Sequence, residues 1–178
     1  MDDRHPVNLR CSAMVLRDNT VLLCRRVGGN NELVLPGGTP RDGEGSSAAA
    51  SREVAEETGI HIAAERIAFV LETTSWDADH HLIEIVFTAA ERDRHAEPKQ
   101  LEEGLVPAFL GLDDLDQIVL RPPIAGYIRG FARLRGSSVD PHPATAAYLG
   151  NLWRPTEGGV RDQPRPCPAP DEHSAPEG

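Results

Sequence analysis

Three glutamates, Glu53, Glu56 and Glu57, stand three and four residues apart, directly after Arg52 and downstream of Glu44. At about 100° per residue, that spacing gathers all three carboxylates into one narrow arc of a helix. Like charges about 6 Å apart repel by roughly 3 kcal/mol per pair at an effective dielectric near 20, less where solvent screens them. A bound divalent cation reverses the sign of that repulsion. Carboxylate oxygens are the ligands that hard Mg2+ or Mn2+ prefer. The other reading of a bare Glu-x-x-Glu-Glu is a solvated acidic helix face, and the three acids alone do not separate the two.

Their surroundings favour the metal. Arg52 can reach Glu56 one turn on, or an acid across the preceding loop, and so hold carboxylates in place. Glu44 precedes the helix, where the helix dipole favours an anion. Gly37, Gly38 and Gly43, with Pro40 between them, make residues 37–43 a loop whose backbone can approach a metal or phosphate closely. The helix itself is expected over Ser46–Thr58, capped by Ser46 or Ser47 and closed by Gly59. Val54 lies off the acidic arc near Ala50 and Ser51, so one side of the helix packs on a sheet while the other displays the acids.

Gly38, Glu44, Arg52, Glu53, Val54, Glu56, Glu57, Gly59 and Ile60 together resemble the signature of the Nudix hydrolase family. That pattern is a glycine, five residues, a glutamate, seven residues, then Arg-Glu-apolar-any-Glu-Glu-any-Gly-apolar. Every fixed and apolar position matches at the required spacing. The flanks are also similar to the family: Leu35-Pro36-Gly37-Gly38 leads in, Arg25-Arg26 ends an earlier strand, and Leu112-Asp113-Asp114-Leu115 lies late in the domain. So extended, the resemblance spans residues 8–135.

The resemblance implies an α/β fold, a Nudix-type α/β/α sandwich around a mixed β-sheet, with the signature as loop–helix–loop. It implies hydrolysis of a diphosphate bond, by water attack at phosphorus, in a nucleoside di- or triphosphate or a nucleoside diphosphate derivative. In that scheme Glu53, Glu56 and Glu57 hold Mg2+ (or Mn2+), one of them or a further acid is the base, and Arg52 and Glu44 orient them. The chemistry is consistent: a diphosphate is a poor electrophile wrapped in negative charge, which metal ions neutralise while they activate a water. Gly37 and Gly38 would border the substrate. Two other readings remain: a non-catalytic nucleotide sensor, although such relatives typically lose the signature acids kept here, and a hydrolase of a pathway-specific diphosphate that is not a nucleotide.

Outside the signature the signals thin out. Many members of the family use one more acid from a later loop; Glu102 and Glu103 both qualify, and Glu103, beside Gly104, is preferred. Arg25 and Arg26 point to opposite faces by strand alternation, so one is a candidate for a substrate phosphate, the other reading being a surface ion pair. Trp76 can stack on a ring or anchor its loop. His80-His81 is read as solvated. Downstream marks of the family's substrate groups are missing from Thr74-Ser75-Trp76-Asp77, so the substrate stays open.

The elements that must position these residues follow from patterning. Strands are expected over Asn8–Leu16, Thr20–Arg26, Glu32–Leu35, Ile67–Thr74, Leu82–Ala89 and Val106–Leu110, with a polar loop Ser75–His81 and a charged connection Glu91–Gly104. Leu112–Ile118 reads as a short helix and Pro123–Leu134 as a longer one with proline at its start. The catalytic domain is expected to occupy 1–135. Residues 136–178 hold eight of the chain's fifteen prolines and read as a flexible extension. Only 146–154, which includes Tyr148, Leu149, Leu152 and Trp153, is apolar enough to dock on the domain or on a second subunit of a homodimer.

The 178 residues suffice for one core, and the net charge of −10 argues against a nucleic-acid polymer or an anionic membrane surface as partner. A small phosphorylated substrate, a nucleotide first among the candidates, is compatible with that charge once a metal is bound. Cys11, Cys24 and Cys167 are odd in number and without Cys-x-x-Cys spacing, which points to a reducing compartment. Met1 to Pro6 lacks the basic start and apolar run of a signal peptide, and the expected location is the cytoplasm.

Overall fold

The computed structural model describes residues 6–28, 32–74, 81–135 and 147–153. Among these residues, nine strands and two α-helices run in the order β1 (Val7–Met14), β2 (Leu16–Arg17), β3 (Thr20–Arg26), β4 (Leu33–Val34), β5 (Gly37–Gly38), α1 (Ser46–Thr58), β6 (Ile62–Thr74), β7 (His81–Glu91), β8 (Leu105–Gly111), α2 (Ala125–Arg135) and β9 (Ala147–Trp153). One sheet has the strand order β5-β1-β7-β6-β9 and is mixed, with β1 parallel to β7 and β9 parallel to β6. The second sheet is antiparallel and centres on β3, which pairs with β2, β4 and β8.

Strand alternation divides the core into two layers. Cys11, Ala13, Val15, Leu22, Phe87 and Ala89 pack with Ala49, Ala50 and Val54 of α1. Their neighbours of opposite parity, Met14, Leu16, Val21, Leu23 and Val86, pack with Phe69, Leu71 and Ile128 of α2. Helix, sheets, helix is the expected three-layer α/β/α sandwich. No helix among the described residues is long and apolar enough to cross a membrane.

Several element boundaries differ from the sequence reading. Gly37 and Gly38 are not loop but pair with Ser12 and Cys11 as β5. The approach is so close that a Cβ on Gly37 would stand 2.5 Å from the Cys11 carbonyl oxygen. Strand β6 begins at Ile62 rather than Ile67, because bulges between Ala64 and Phe69 carry the pairing past a stretch whose polarity does not alternate. Helix α1 is capped by the backbone of Gly45, without a side-chain cap. Gly59 ends the helix in the left-handed conformation, φ 72°. The expected helix Leu112–Ile118 is a single 3-10 turn over Leu112–Asp114, and α2 starts at Ala125, two residues after Pro123.

Beyond α2, β9 lies along β6, with Ala147 and Leu149 packed against the α2-side core. Tyr148 is not buried as an apolar anchor: it is exposed, and its hydroxyl donates to Glu72 Oε1 at 2.7 Å. Trp76, the side chains of Leu152 and Trp153, and all of 136–146 and 154–178 lie outside the described residues.

Candidate active site

Helix α1 delivers its three acids in graded environments. Glu56 is 46% exposed, Glu53 15%, and Glu57 only 5%. The sequence reading put all three on the solvent side. Glu57, however, follows Val54 by three residues and turns with it toward the sheets, so the arc straddles the edge of the buried face. Gly37 N–H donates to Glu57 Oε2 at 3.0 Å, and the Cys24 thiol lies 3.8 Å from the same oxygen. Burial pushes the Glu57 carboxyl up to about 7, against the opposing pull of the Arg10 guanidinium and the Gly37 amide.

Arg52 is the hub of the exposed part. Its Nε and Nη2 grip Glu44 Oε1 and Oε2, both at 2.8 Å. Its Nη1 donates to Glu53 Oε1 at 2.7 Å and to Glu56 Oε2 at 2.8 Å. Both routes open in the sequence, to Glu56 on the helix and to Glu44 across the loop, are taken at once. Arg41 adds a second cation on Glu56 Oε1 at 2.9 Å, and its backbone N–H donates to Glu44 Oε2 at 2.8 Å. The bidentate Arg52 contact holds the Glu44 carboxyl down to about 2. Such a fork demands arginine, whose planar guanidinium alone serves three carboxylates in one plane.

Glu53 lies flat on the loop. A Cβ on Gly38 would sit 2.4 Å from Glu53 Cδ, so glycine there is a condition of the carboxylate's position. The donor set is all carboxylate oxygen on one helical turn, which suits a hard divalent ion. Among the described residues no three His, Cys, Asp or Glu side chains converge closely enough to hold one in this arrangement. The carboxylates of Glu53 and Glu56 turn to Arg52 and Arg41, and that of Glu57 to the Gly37 amide.

Beside this cluster opens a cleft of about 600 Å³, lined from both sheets by residues that include Arg10, Arg26, Val34, Thr39, Glu84 and Arg121. Thr39 joins cleft to cluster, since its carbonyl accepts from Arg52 Nη2 at 3.3 Å. Of the two strand-end arginines, Arg26 lines the cleft, whereas Arg25 is not among the lining residues. Both loop acids, Glu102 and Glu103, are exposed, and Glu102 is among the charges that raise the proton affinity of Glu57.

Arg10, Arg41, Glu84 and Arg121 were not singled out from the sequence. A signal existed for two of them: Arg10 and Glu84 are lone charges inside otherwise apolar strands, Leu9-Arg10-Cys11 and Ile83-Glu84-Ile85. Charges in such places are paired or functional.

Residues 8–131 match the family model of the NUDIX domain. The chain belongs to the Nudix family. Solved Nudix hydrolases share the architecture. The MutT NUDIX hydrolase from Burkholderia pseudomallei is 27% identical, over 61% of this chain and 85% of that one, with a TM-score of 0.52. A NUDIX hydrolase from Nitrosomonas europaea is 25% identical, over 70% and 86%, with a TM-score of 0.59. An ADP-ribose pyrophosphatase from Streptococcus suis is 20% identical, over 79% and 98%, with a TM-score of 0.57, and shows likeness of fold alone. This Nudix domain is thus that of a pyrophosphohydrolase acting on acid anhydrides.

Proposed function

We propose that the protein hydrolyses a diphosphate bond in a nucleoside di- or triphosphate, or in a nucleoside diphosphate derivative, with Mg2+ or Mn2+ held by Glu53, Glu56 and Glu57. The observation that carries this reading is the junction of the Arg52-centred carboxylates with the arginine-lined cleft through Thr39. Bound there, the metal would neutralise phosphate charge and lower the pKa of a coordinated water.

The chain's own residues do the rest. Arg52, with Glu44 behind it, keeps Glu53 and Glu56 on one side of the helix and limits their rotamers. The Gly37 amide fixes Glu57, whose raised proton affinity suits it to accept a proton from the attacking water. Gly38 leaves room for Glu53 against the loop. Arg26 meets substrate phosphate from the cleft wall. Glu102 is a loop acid whose charge acts on Glu57, and is a better candidate than Glu103 for a further ligand or base.

The test is phosphate and nucleotide release from a panel of nucleoside triphosphates, nucleoside diphosphate sugars and dinucleotides, with Mg2+, with Mn2+ and with chelator. Turnover of at least one substrate is expected, and none in chelator. Turnover that survives metal removal would sink the metal assignment. Tight binding without turnover would favour a sensor instead.

A further inference from the structure

The mixed sheet places one buried ion pair in the wall of the cleft. Arg10 and Glu84 are cross-strand partners in the parallel register of β1 and β7, and Arg10 Nε lies 3.4 Å from Glu84 Oε1. Glu84 is 3% exposed, and the hydroxyl of fully buried Ser12 donates to the same oxygen. Arg10 Nη2 donates to the Leu35 carbonyl at 3.1 Å, at the entrance to the signature loop. Its Nη1 makes no hydrogen bond among the described residues, and Arg10 itself lines the cleft.

Burying a carboxylate costs several kcal/mol, which a single ion pair at best offsets. An apolar pair would fill the same space with less penalty, so the pair does not explain itself as packing. Its position supplies a reason. The Arg10 charge is paired with Glu84 and also lowers the proton affinity of Glu57 and Cys24. Arg10 therefore lines the cleft while bracing Leu35 at the entrance to the signature loop, where the diphosphate must lie if the signature acids carry out the proposed reaction.

We propose that Arg10 binds a phosphate oxygen of the substrate on the cleft side of the glutamates, and that Glu84 and Ser12 are positioning residues that hold its guanidinium there. This rests on the reading of the site as a diphosphate hydrolase. A guanidinium pinned at Nε and Nη2 loses little further freedom on binding an oxyanion, and its planar fork sets direction as well as charge.

The test uses the full chain with Arg10→Lys, Arg10→Ala, Glu84→Gln and the Arg10→Ala/Glu84→Gln double variant. Two quantities are read: KM and kcat on the best substrate of the panel, and calorimetric binding of the non-hydrolysable α,β-methylene-ADP with Mg2+. Arg10→Lys should raise KM and weaken the analogue about tenfold, as loss of one charge-assisted contact does, with kcat changing less. Glu84→Gln should weaken the analogue in the wild-type background and have no further effect once Arg10 is alanine, which a merely structural role would not produce. Should Arg10→Ala fail to fold, Arg10→Lys decides alone. Folded variants with KM and analogue affinity within twofold of wild type would overturn the proposal. A protein that binds the analogue through Arg10 yet turns nothing over would leave the inference standing and remove the catalytic reading.

Discussion

Two of the arginines around the candidate site, Arg52 and Arg10, hold carboxylates in opposite ways. Arg52 sits on a partly exposed helix surface and serves three acids at once, with all three within eight residues of it in the chain. Arg10 sits on a strand, serves one buried acid 74 positions away, and uses its other contact on a backbone carbonyl. Solvent reaches the first network at Glu56, 46% exposed, so that carboxylate can exchange partners at small cost, which a cation-binding surface requires. The second ends on Glu84, its side chain only 4% exposed, and cannot rearrange without stranding that buried charge, which suits a fixed contact in a substrate cleft. The contrast teaches where this Nudix domain adapts and where it is rigid.

Glu57 lies where the two meet, and changing it should have the largest effect. Glu57→Gln preserves size and removes the charge, so turnover should fall by about a hundredfold or more, in line with loss of a metal-bound or proton-accepting carboxylate. Stability should move the other way. The folded carboxyl titrates at about 7 against 4.5 for the free group. The stability associated with its protonated form is therefore complete below pH 4.5 and is lost as pH rises through 7, on the order of 3 kcal/mol. In chelator, melting temperature should fall between pH 5 and pH 8 for wild type and change less for Glu57→Gln. Equal pH slopes for the two proteins would show that Glu57 is not the strained group.

The same contrast explains what could be read in the chain. Contacts within one helical turn and its entering loop follow from spacing, so Glu44, Arg52, Glu53 and Glu56 were legible as a group. Contacts set by sheet register were not: nothing local says that Arg10 lies beside Glu84, because a shift of one residue would send either side chain to the opposite face. The strand pair Gly37–Gly38 was hidden for a related reason. Glycines there signal a tight turn as readily as a place where two backbones come together, and only the Ser12 and Cys11 contacts distinguish them. The graded burial of the three acids also needed the packing of Val54 to be known.

Arg52→Lys tests the adaptable network more gently. Charge is kept, but one ammonium cannot satisfy Glu44 in bidentate fashion and still hold Glu53 and Glu56. Turnover should fall about tenfold through kcat, with melting temperature within about 3 °C of wild type, since partly exposed ion pairs contribute little. An Arg52→Lys enzyme with wild-type kcat would reduce the hub to a surface ion pair.

The smallest expected effect on catalysis, and the one that tests where the domain ends, concerns the segment after α2. We propose that 1–135 is the catalytic unit and that 147–153 is a docked support rather than part of the site. Strand β9 covers the edge of β6, Tyr148 ties it to Glu72, and Ala147 and Leu149 pack on the α2-side core. Each contact is modest: one exposed hydrogen bond and two partly buried apolar side chains, worth roughly 2 kcal/mol at ~25 cal/mol per Å² of apolar surface. Removing them also leaves β6 as an open edge, which invites pairing with another chain. A chain ending after Arg135 should therefore melt about 4–8 °C below one ending after Pro155 and show a greater tendency to self-associate. The two should have the same kcat, because β9 packs chiefly on β6 rather than on α1. Superimposable melting curves would mean that β9 contributes nothing to the fold. A loss of kcat with unchanged KM would place the segment in the catalytic machinery and move the domain boundary beyond Trp153.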